Sequence, residues 1–149
     1  MYSSNEEYSK ALKYCLNILS KRDYSKRRIF EKLQTRGYST KTINEIIDYL
    51  AEKNYLNEAR AVENLIYFKL EHKHWGPYKI KSNLFKKGYE IEIINKALNN
   101  IEIEQLLHCC KSAIKDYGKH NLNMKPDKLY RFLFNRGFSD FIIKQCLPD

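Results

Sequence analysis

The sequence predicts an all-α protein in which three tandem three-helix repeats stack into an elongated, curved array. A segment with the pattern Leu-x-x-basic-Gly-aromatic occurs three times, with its glycines at Gly37, Gly88 and Gly137, and such spacing is typical of repeat architectures. Only five glycines and three prolines occur among 149 residues, of which 43% are hydrophobic and 13% aromatic. This composition favours helices that share an apolar core.

Each copy of the segment predicts the end of a helix. A basic residue lies in the last turn, glycine takes the left-handed position after it, and the aromatic residue folds back onto the helix. The beginnings of these middle helices also match, with Ser25 as an N-cap in the first repeat and Pro77 and Pro126 at the first helical position in the others. Three pairs are spaced as hydrophobic staples: Tyr24 with Ile29, Trp75 with Ile80, and Met124 with Leu129.

A longer helix precedes each middle helix and a short one follows it. The long helices are predicted from apolar faces at Tyr8, Ala11, Leu12, Cys15 and Leu19; at Ala61, Leu65 and Phe68 after the N-cap Asn57; and at Leu106, Leu107, Cys110 and Ile114. The short ones carry Ile43, Ile46, Ile47 and Leu50; Ile94, Ala97 and Leu98; and Ile143, Cys146 and Leu147. The repeats are therefore 1–53, 54–100 and 101–149. Because about 50 residues bury little core alone, neighbouring repeats should stack.

Several classes of protein are disfavoured by the sequence. The longest apolar run is 65–68, far below the ~20 residues that span a bilayer, and the polar start with Glu6 and Glu7 does not resemble a secretion signal. We therefore expect a cytoplasmic protein that does not associate with membranes. We also expect it to be a monomer. The four cysteines form no CxxC pair and are predicted to be free thiols. Phosphate-loop, nucleophile-elbow and zinc-protease motifs are lacking, so we expect no enzyme activity, no cofactor and no metal.

The positive charge follows the repeat. The net charge is +9, and segments 21–41, 69–88 and 111–144 carry +6, +5 and +5, whereas 42–68 and 89–110 carry −3 each. The middle helices are thus the basic ones. This pattern predicts a polyanionic partner, either nucleic acid or a protein bound to it.

Two positions of the middle helix are basic in every repeat. Near its start, Arg28, Lys79 and Lys128 are predicted to form a stripe that follows a polyanion, with Arg27, Lys81 and Arg131 beside it. A cation is unfavourable at a helix start, so binding explains this set better than stability does. At its end, Arg36, Lys87 and Arg136 complement the helix dipole and are secondary contacts at most.

The aromatic residues Tyr55, Trp75 and Tyr78 are expected at the junction of the first and second repeats. Trp75 is better explained as a staple than as a partner contact. Tyr78 projects away from the apolar face formed by Ile80 and Leu84, and an exposed aromatic beside Lys79 and Lys81 is a candidate binding hot spot.

Two stretches carry a resemblance to a known family. Residues 54–61 read Asn-Tyr-Leu-Asn-Glu-Ala-Arg-Ala, and residues 76–80 read Gly-Pro-Tyr-Lys-Ile, followed by Leu84 and Lys87-Gly88. These stretches are similar to the motifs of the RecX family, with Asn54 and Lys79 in place of the usual Gly and Arg. The matching motif residues are Tyr55, Leu56, Gly76, Pro77, Ile80, Leu84 and Gly88.

The resemblance implies a non-enzymatic regulator of the RecA recombinase in homologous recombination, DNA repair and the SOS response. Such a protein binds RecA filaments on single-stranded DNA, limits their growth or stability, and lowers strand exchange and ATP hydrolysis by RecA.

Two other functions remain open at this point. Three-helix units can place a recognition helix in a DNA groove, which would make the chain a direct DNA-binding protein, although no base-reading set of Arg, Asn and Gln clusters at one helix start. Helical repeats also serve as scaffolds for unrelated proteins.

Overall fold

The computed structural model describes residues 4–123 and 125–148, and all regular structure in these residues is helical. The all-α repeat class predicted from the sequence is confirmed. The α-helices are α1 Ser4–Leu19, α2 Lys26–Thr35, α3 Thr40–Glu52, α4 Glu58–Phe68, α5 Pro77–Lys86, α6 Ile91–Asn99, α7 Ile103–His120, α8 Pro126–Asn135 and α9 Asp140–Cys146, with a π-helical turn Lys69–Lys73 after α4. The middle helices of the three repeats are α2, α5 and α8.

The middle helices all end in the predicted way. Gly37, Gly88 and Gly137 have φ angles of 88°, 96° and 98°. The N–H of the aromatic residue after each glycine donates to the carbonyl of the leucine five residues earlier, at 3.2–3.3 Å. This pairing is the Schellman motif, which satisfies the carbonyls that a helix end leaves free.

The predicted helix starts are confirmed where the structure describes them. Ser25 Oγ accepts the N–H of Arg28 at 3.2 Å, and Asn57 Oδ1 accepts the N–H of Arg60 at 3.0 Å. Pro77 and Pro126 are the first residues of α5 and α8. The predicted staple residue Met124 lies outside the described residues.

The buried side chains form two clusters. Eight buried residues from α1, α2, α3 and Leu56 make the first, and sixteen buried residues from α4, the π-helical turn and α5 to α9 make the second. The expectation that about 50 residues bury little core alone is corrected for the first repeat, whose helices form a separate cluster completed by Leu56 of the second repeat. The small residues Ala11 and Cys15, both fully buried, allow α1 to pack closely over α2 and α3. The second and third repeats share one core, as stacking requires.

The array is extended. Its accessible surface is 9954 Å², whereas a compact monomer of its 17.9 kDa mass would expose about 8000 Å². The extra surface is consistent with repeats that contact only their neighbours.

Among the described helices, none is both long and apolar enough to cross a bilayer.

The buried face of α4 differs from the predicted one. Ala61 is buried as expected, but Phe68 is 45% exposed, and Val62 and Ile66 are buried instead. The chain enters a π-helical turn directly after Phe68. Val62, Ile66 and Leu70 are spaced four residues apart, so this buried face continues from α4 into the π-helical turn and leaves Phe68 at its edge.

The buried face of α7 also differs from the predicted one. Cys109 and Ala113 are buried with Cys110, whereas Leu106 and Leu107 only border the core.

Valine substitutions at Gly37 and Gly88 should separate backbone strain from packing. Both glycines have left-handed φ angles, and forcing a β-branched residue there costs roughly 1–3 kcal/mol. A Cβ at Gly37 would meet no atom within 4 Å, but one at Gly88 would lie 2.8 Å from Ser25 Oγ and 2.9 Å from Arg27 Nε. We therefore expect Gly88→Val to lower the free energy of unfolding by about 1 kcal/mol more than Gly37→Val, as overpacking does. Urea unfolding measures the difference, and equal losses would contradict the packing role of Gly88.

Candidate binding groove along the middle helices

Three surface cavities lie in succession along the middle helices, and each shares one lining residue with the next. A cavity of about 350 Å³ on α2 shares Arg28 with a cavity of about 460 Å³ between the first and second repeats. The latter shares Lys86 with a cavity of about 430 Å³ between the second and third repeats. We call this surface the basic groove. Its cationic lining residues are Arg22, Arg28, Lys32, Arg36, Lys79, Lys86 and Lys87.

The beginning of α2 docks onto the end of α5 at the first junction. Ser25 Oγ, besides capping α2, donates to the Lys87 carbonyl at 2.9 Å, and Arg27 Nη2 donates to the Lys86 carbonyl at 3.4 Å. Gly88 is required here because a side chain would collide with Ser25. One residue thus starts a helix and holds two repeats together.

The beginning of α5 docks onto the end of α8 in the same way. The Gly76 N–H donates to the Arg136 carbonyl at 2.8 Å, and the Tyr78 N–H donates to the Gly137 carbonyl at 3.0 Å. A Cβ on Gly76 would lie 2.5 Å from the carbonyl carbon and oxygen of Gly137. Gly76 has an ordinary extended backbone, so close approach, and not φ, requires glycine at this position.

This geometry corrects one expectation. Trp75 and Tyr78 lie at the junction of the second and third repeats, where they line one cavity with Phe134 and Gly137, and not at the junction of the first and second. The reason is that α2 and α5 each begin against the glycine turn of the following repeat. Tyr55 is half exposed and Leu56 packs into the core of the first repeat.

A polar cluster reinforces the second junction. Arg136 Nη1 donates to the Lys73 carbonyl at 2.7 Å and lies 3.7 Å from Asp116 Oδ2. Asp116 also pairs with Nδ1 of His74, whose φ of 54° turns the chain after the π-helical turn. Arg136 therefore helps to hold the third repeat against the second. In the first repeat, the Arg36 guanidinium lies 3.7 Å from the Tyr14 ring centroid, so it too packs within the fold.

Cations crowd together around Trp75. The ammonium groups of Lys79 and Lys69 lie 4.3 and 4.5 Å from the centroid of its ring system. Burial lowers the pKa of Lys69, and the charges of Lys87, Lys73 and Lys79 lower it further. Burial and then the Arg136 charge lower the pKa of Lys79. A bound anion would relieve this repulsion, so the groove is electrostatically suited to a polyanion.

The predicted stripe residues differ in their surroundings. Arg28 lines two of the cavities but also hydrogen-bonds Glu31 at 3.2 Å, and Arg27 lies 3.5 Å from the same carboxylate. Lys79 lines the groove at the second junction. Glu31 therefore neutralises part of the charge in the first repeat, while Lys79 faces no carboxylate in its cavity lining.

The third repeat extends the same surface beyond the cavities. Lys128 and Arg131 are exposed on α8 and lie seven and four residues before Asn135, which lines the groove. That spacing places all three on one helix face. Lys81 is half-buried and does not line the three cavities.

The exposure of Tyr78 is confirmed, at 66%. Three cations of the groove lining were missed individually: Arg22, Lys32 and Lys86. The segment charges included them, but only their positions in the folded chain separate groove residues from other surface lysines.

Other side chains of the described residues do not add a second type of site. No group of three or more His, Cys, Asp or Glu residues among them could hold a metal ion. The four cysteines are free, and three of them are buried. Burial raises the pKa of Cys109 to about 12, which disfavours the reactive thiolate.

Glu58 gives the first junction a pH dependence. This residue is 6% exposed, and burial and then Glu90 raise its pKa, against opposing effects of Lys26. Since the folded-state pKa lies above the unfolded one, its favourable contribution is complete below the unfolded pKa and is lost as the pH rises through the folded pKa. Glu58→Gln should therefore be more stable than the wild type at neutral pH, and the gain should vanish in acid. Urea unfolding at both pH values measures this, and a pH-independent difference would contradict it.

Comparisons with known proteins agree with this architecture. A family model described as "RecX, first three-helix domain" matches residues 11–55. The chain is similar to the regulatory protein RecX of Prosthecochloris aestuarii, with 30% identity over 148 residues that cover 98% of this chain and 97% of the relative. It is 29% identical to RecX of Chlorobium phaeobacteroides, covering 94% and 93%. The crystal structure of RecX from Lactobacillus salivarius superposes with a TM-score of 0.87 at 23% identity, covering 95% of both chains.

The fold and the groove define an all-α repeat protein with a basic surface along its middle helices. The similarity to the RecX relatives covers nearly the full length of both chains and therefore assigns the family. The chain belongs to the RecX family, whose members carry the name regulatory protein.

Proposed function

We propose that this protein regulates RecA by binding RecA filaments on single-stranded DNA through the basic groove, and that it thereby lowers ATP hydrolysis and strand exchange. The observation that supports this most is the succession of basic cavities across both repeat junctions. The groove lining has seven cations but only two carboxylates, Asp23 and Glu31. A groove of this kind suits a partner that is itself a charged polymer.

The repeat geometry supports a lengthwise arrangement on the filament. Backbone hydrogen bonds at the second junction and Ser25 at the first fix the spacing of the middle helices. Fixed spacing allows several weak phosphate contacts to act together without a large ordering cost. We infer that a cytoplasmic monomer acts in this way, with the units 1–53, 54–100 and 101–149 contributing successive contacts.

Binding to filaments can be compared directly with binding to DNA. Fluorescence anisotropy of the labelled protein would be followed against preformed RecA filaments on single-stranded DNA and against the same DNA without RecA. We expect at least about tenfold tighter binding to the filament, because RecA adds protein contacts to the phosphate term. Equal affinities for the two would contradict a filament-directed regulator.

A second candidate function is direct binding to nucleic acid, which the groove charge also favours. It predicts a steep salt dependence with comparable affinity in the presence and absence of RecA. The anisotropy comparison therefore separates the two functions.

A further inference from the structure

The basic groove contains an aromatic cleft that phosphate binding alone does not require. Its 430 Å³ segment between α5 and α8 is lined by Trp75, Tyr78 and Phe134. Tyr78 and Phe134 are 66% and 58% exposed. Exposed aromatic side chains that converge on a cleft are typical of a recognition site.

The exposed rings are attached to well-fixed parts of the fold. The Tyr78 N–H is bonded to the Gly137 carbonyl at the second junction. The Phe134 ring is stacked with that of Tyr130, with centroids 6.3 Å apart and an interplanar angle of 11°. The Tyr130 hydroxyl donates to Asp140 at 2.6 Å. A ligand ring would thus meet a largely preformed platform, which reduces the entropic cost of binding.

The polar groups of the cleft specify the rest of the ligand. Lys79 and Lys86 supply the charges, and the described lining residues include no carboxylate. The cleft therefore favours a ligand with a flat ring and a negative charge next to it.

A nucleoside phosphate combines these two features. We propose that the cleft holds one unstacked base of a single-stranded nucleic acid, stacked against Tyr78 and Phe134, with its neighbouring phosphates on Lys79 and Lys86. Bases within a duplex are already paired and stacked, so the cleft makes the groove selective for single strands. The identification of this strand in the cell as the DNA of a RecA filament rests on the proposed function. The base-binding chemistry itself does not depend on that function.

Trp75 provides a direct reporter, because it is the only tryptophan in the chain and lines the cleft. Its fluorescence would be titrated, without RecA, with oligothymidylate, with an abasic oligomer of equal length, with a duplex and with thymidine monophosphate. We expect oligothymidylate to change the emission and to bind roughly 5- to 100-fold more tightly than the abasic oligomer, the range given by stacking of one base. The duplex should bind without the emission change, and the monophosphate should bind far more weakly.

Matched variants test the platform. Tyr78→Ala and Phe134→Ala should each remove most of the preference for oligothymidylate over the abasic oligomer. Tyr67→Ala and Phe141→Ala should leave it unchanged, because these rings are similarly exposed, at 63% and 59%, but do not line the cleft.

Several results would overturn the proposal. Equal affinities for oligothymidylate and the abasic oligomer would reduce the groove to a phosphate-binding surface. If thymidine monophosphate bound as tightly as oligothymidylate, the cleft would be assigned to a free nucleotide. If an acidic aromatic peptide bound and oligothymidylate did not, the cleft would be assigned to a protein partner. Inhibition of RecA is measured separately on the same preparations, so the proposed function can hold where the base site fails.

Discussion

Gly76→Val should lower the free energy of unfolding by about 3–5 kcal/mol. The new Cβ would lie 2.5 Å from the backbone of Gly137, and backbone atoms cannot yield as a flexible side chain can. The two hydrogen bonds that join α5 to the end of α8 are worth ~1 kcal/mol each, and overpacking adds ~1–3 kcal/mol. Urea unfolding followed by circular dichroism measures the loss.

The matched control for this effect is Gly37→Val. Gly37 forms the same turn in the first repeat but has open space around its Cβ position, so only the strain of its left-handed backbone is expected. Gly76→Val requires no unusual backbone angle. A loss at Gly76 no greater than the loss at Gly37 would show that the close approach of the two repeats is not what stabilises the junction.

Reversing the charge at Arg28, Lys79 and Lys86 together should weaken binding to RecA filaments on the order of a hundredfold at low salt. Each lost phosphate contact lowers the slope of log affinity against log salt by about 0.7 for single strands, so three contacts lower it by about 2. The fold should change little, because Arg28 and Lys86 are exposed and Lys79 is only partly buried, and surface charges contribute little to stability. Anisotropy titrations of filaments at several salt concentrations give both quantities.

The control carries the same change in total charge. Lys53→Glu, Lys96→Glu and Lys111→Glu together also reduce the net charge from +9 to +3 (9 − 6), but these exposed lysines do not line the basic groove. We expect this variant to bind filaments nearly as well as the wild type. Equal weakening in both triple variants would mean that overall charge, and not the groove, determines binding.

The sequence predicted the parts of the fold that depend on local chemistry. The glycine turns, the caps at Ser25 and Asn57, and the fully buried Ile80 and Leu84 follow from rules that act within one or two helical turns. The burial of Val62 and Ile66 in place of Phe68 was not predicted, because apolar residues lie on more than one face of this stretch and tertiary packing decides which face is buried.

The groove was predictable in kind but not in detail. The repeated basic positions indicated a charged surface on the middle helices, and Arg28 and Lys79 do line the groove. Which neighbours join them depends on how the repeats dock. Lys86 was missed because its role comes from lying between two junctions. Trp75 and Tyr78 were assigned to the wrong junction because sequence order does not reveal which neighbour a helix start contacts.

Hydrolysis of ATP by RecA on single-stranded DNA tests the central claim most directly, with this protein added below, at and above the RecA concentration. The filament-directed account predicts that hydrolysis falls when the protein is substoichiometric to RecA, because one bound molecule affects many RecA subunits of a filament. Unchanged hydrolysis even with the protein in excess would contradict that account and favour direct binding to nucleic acid.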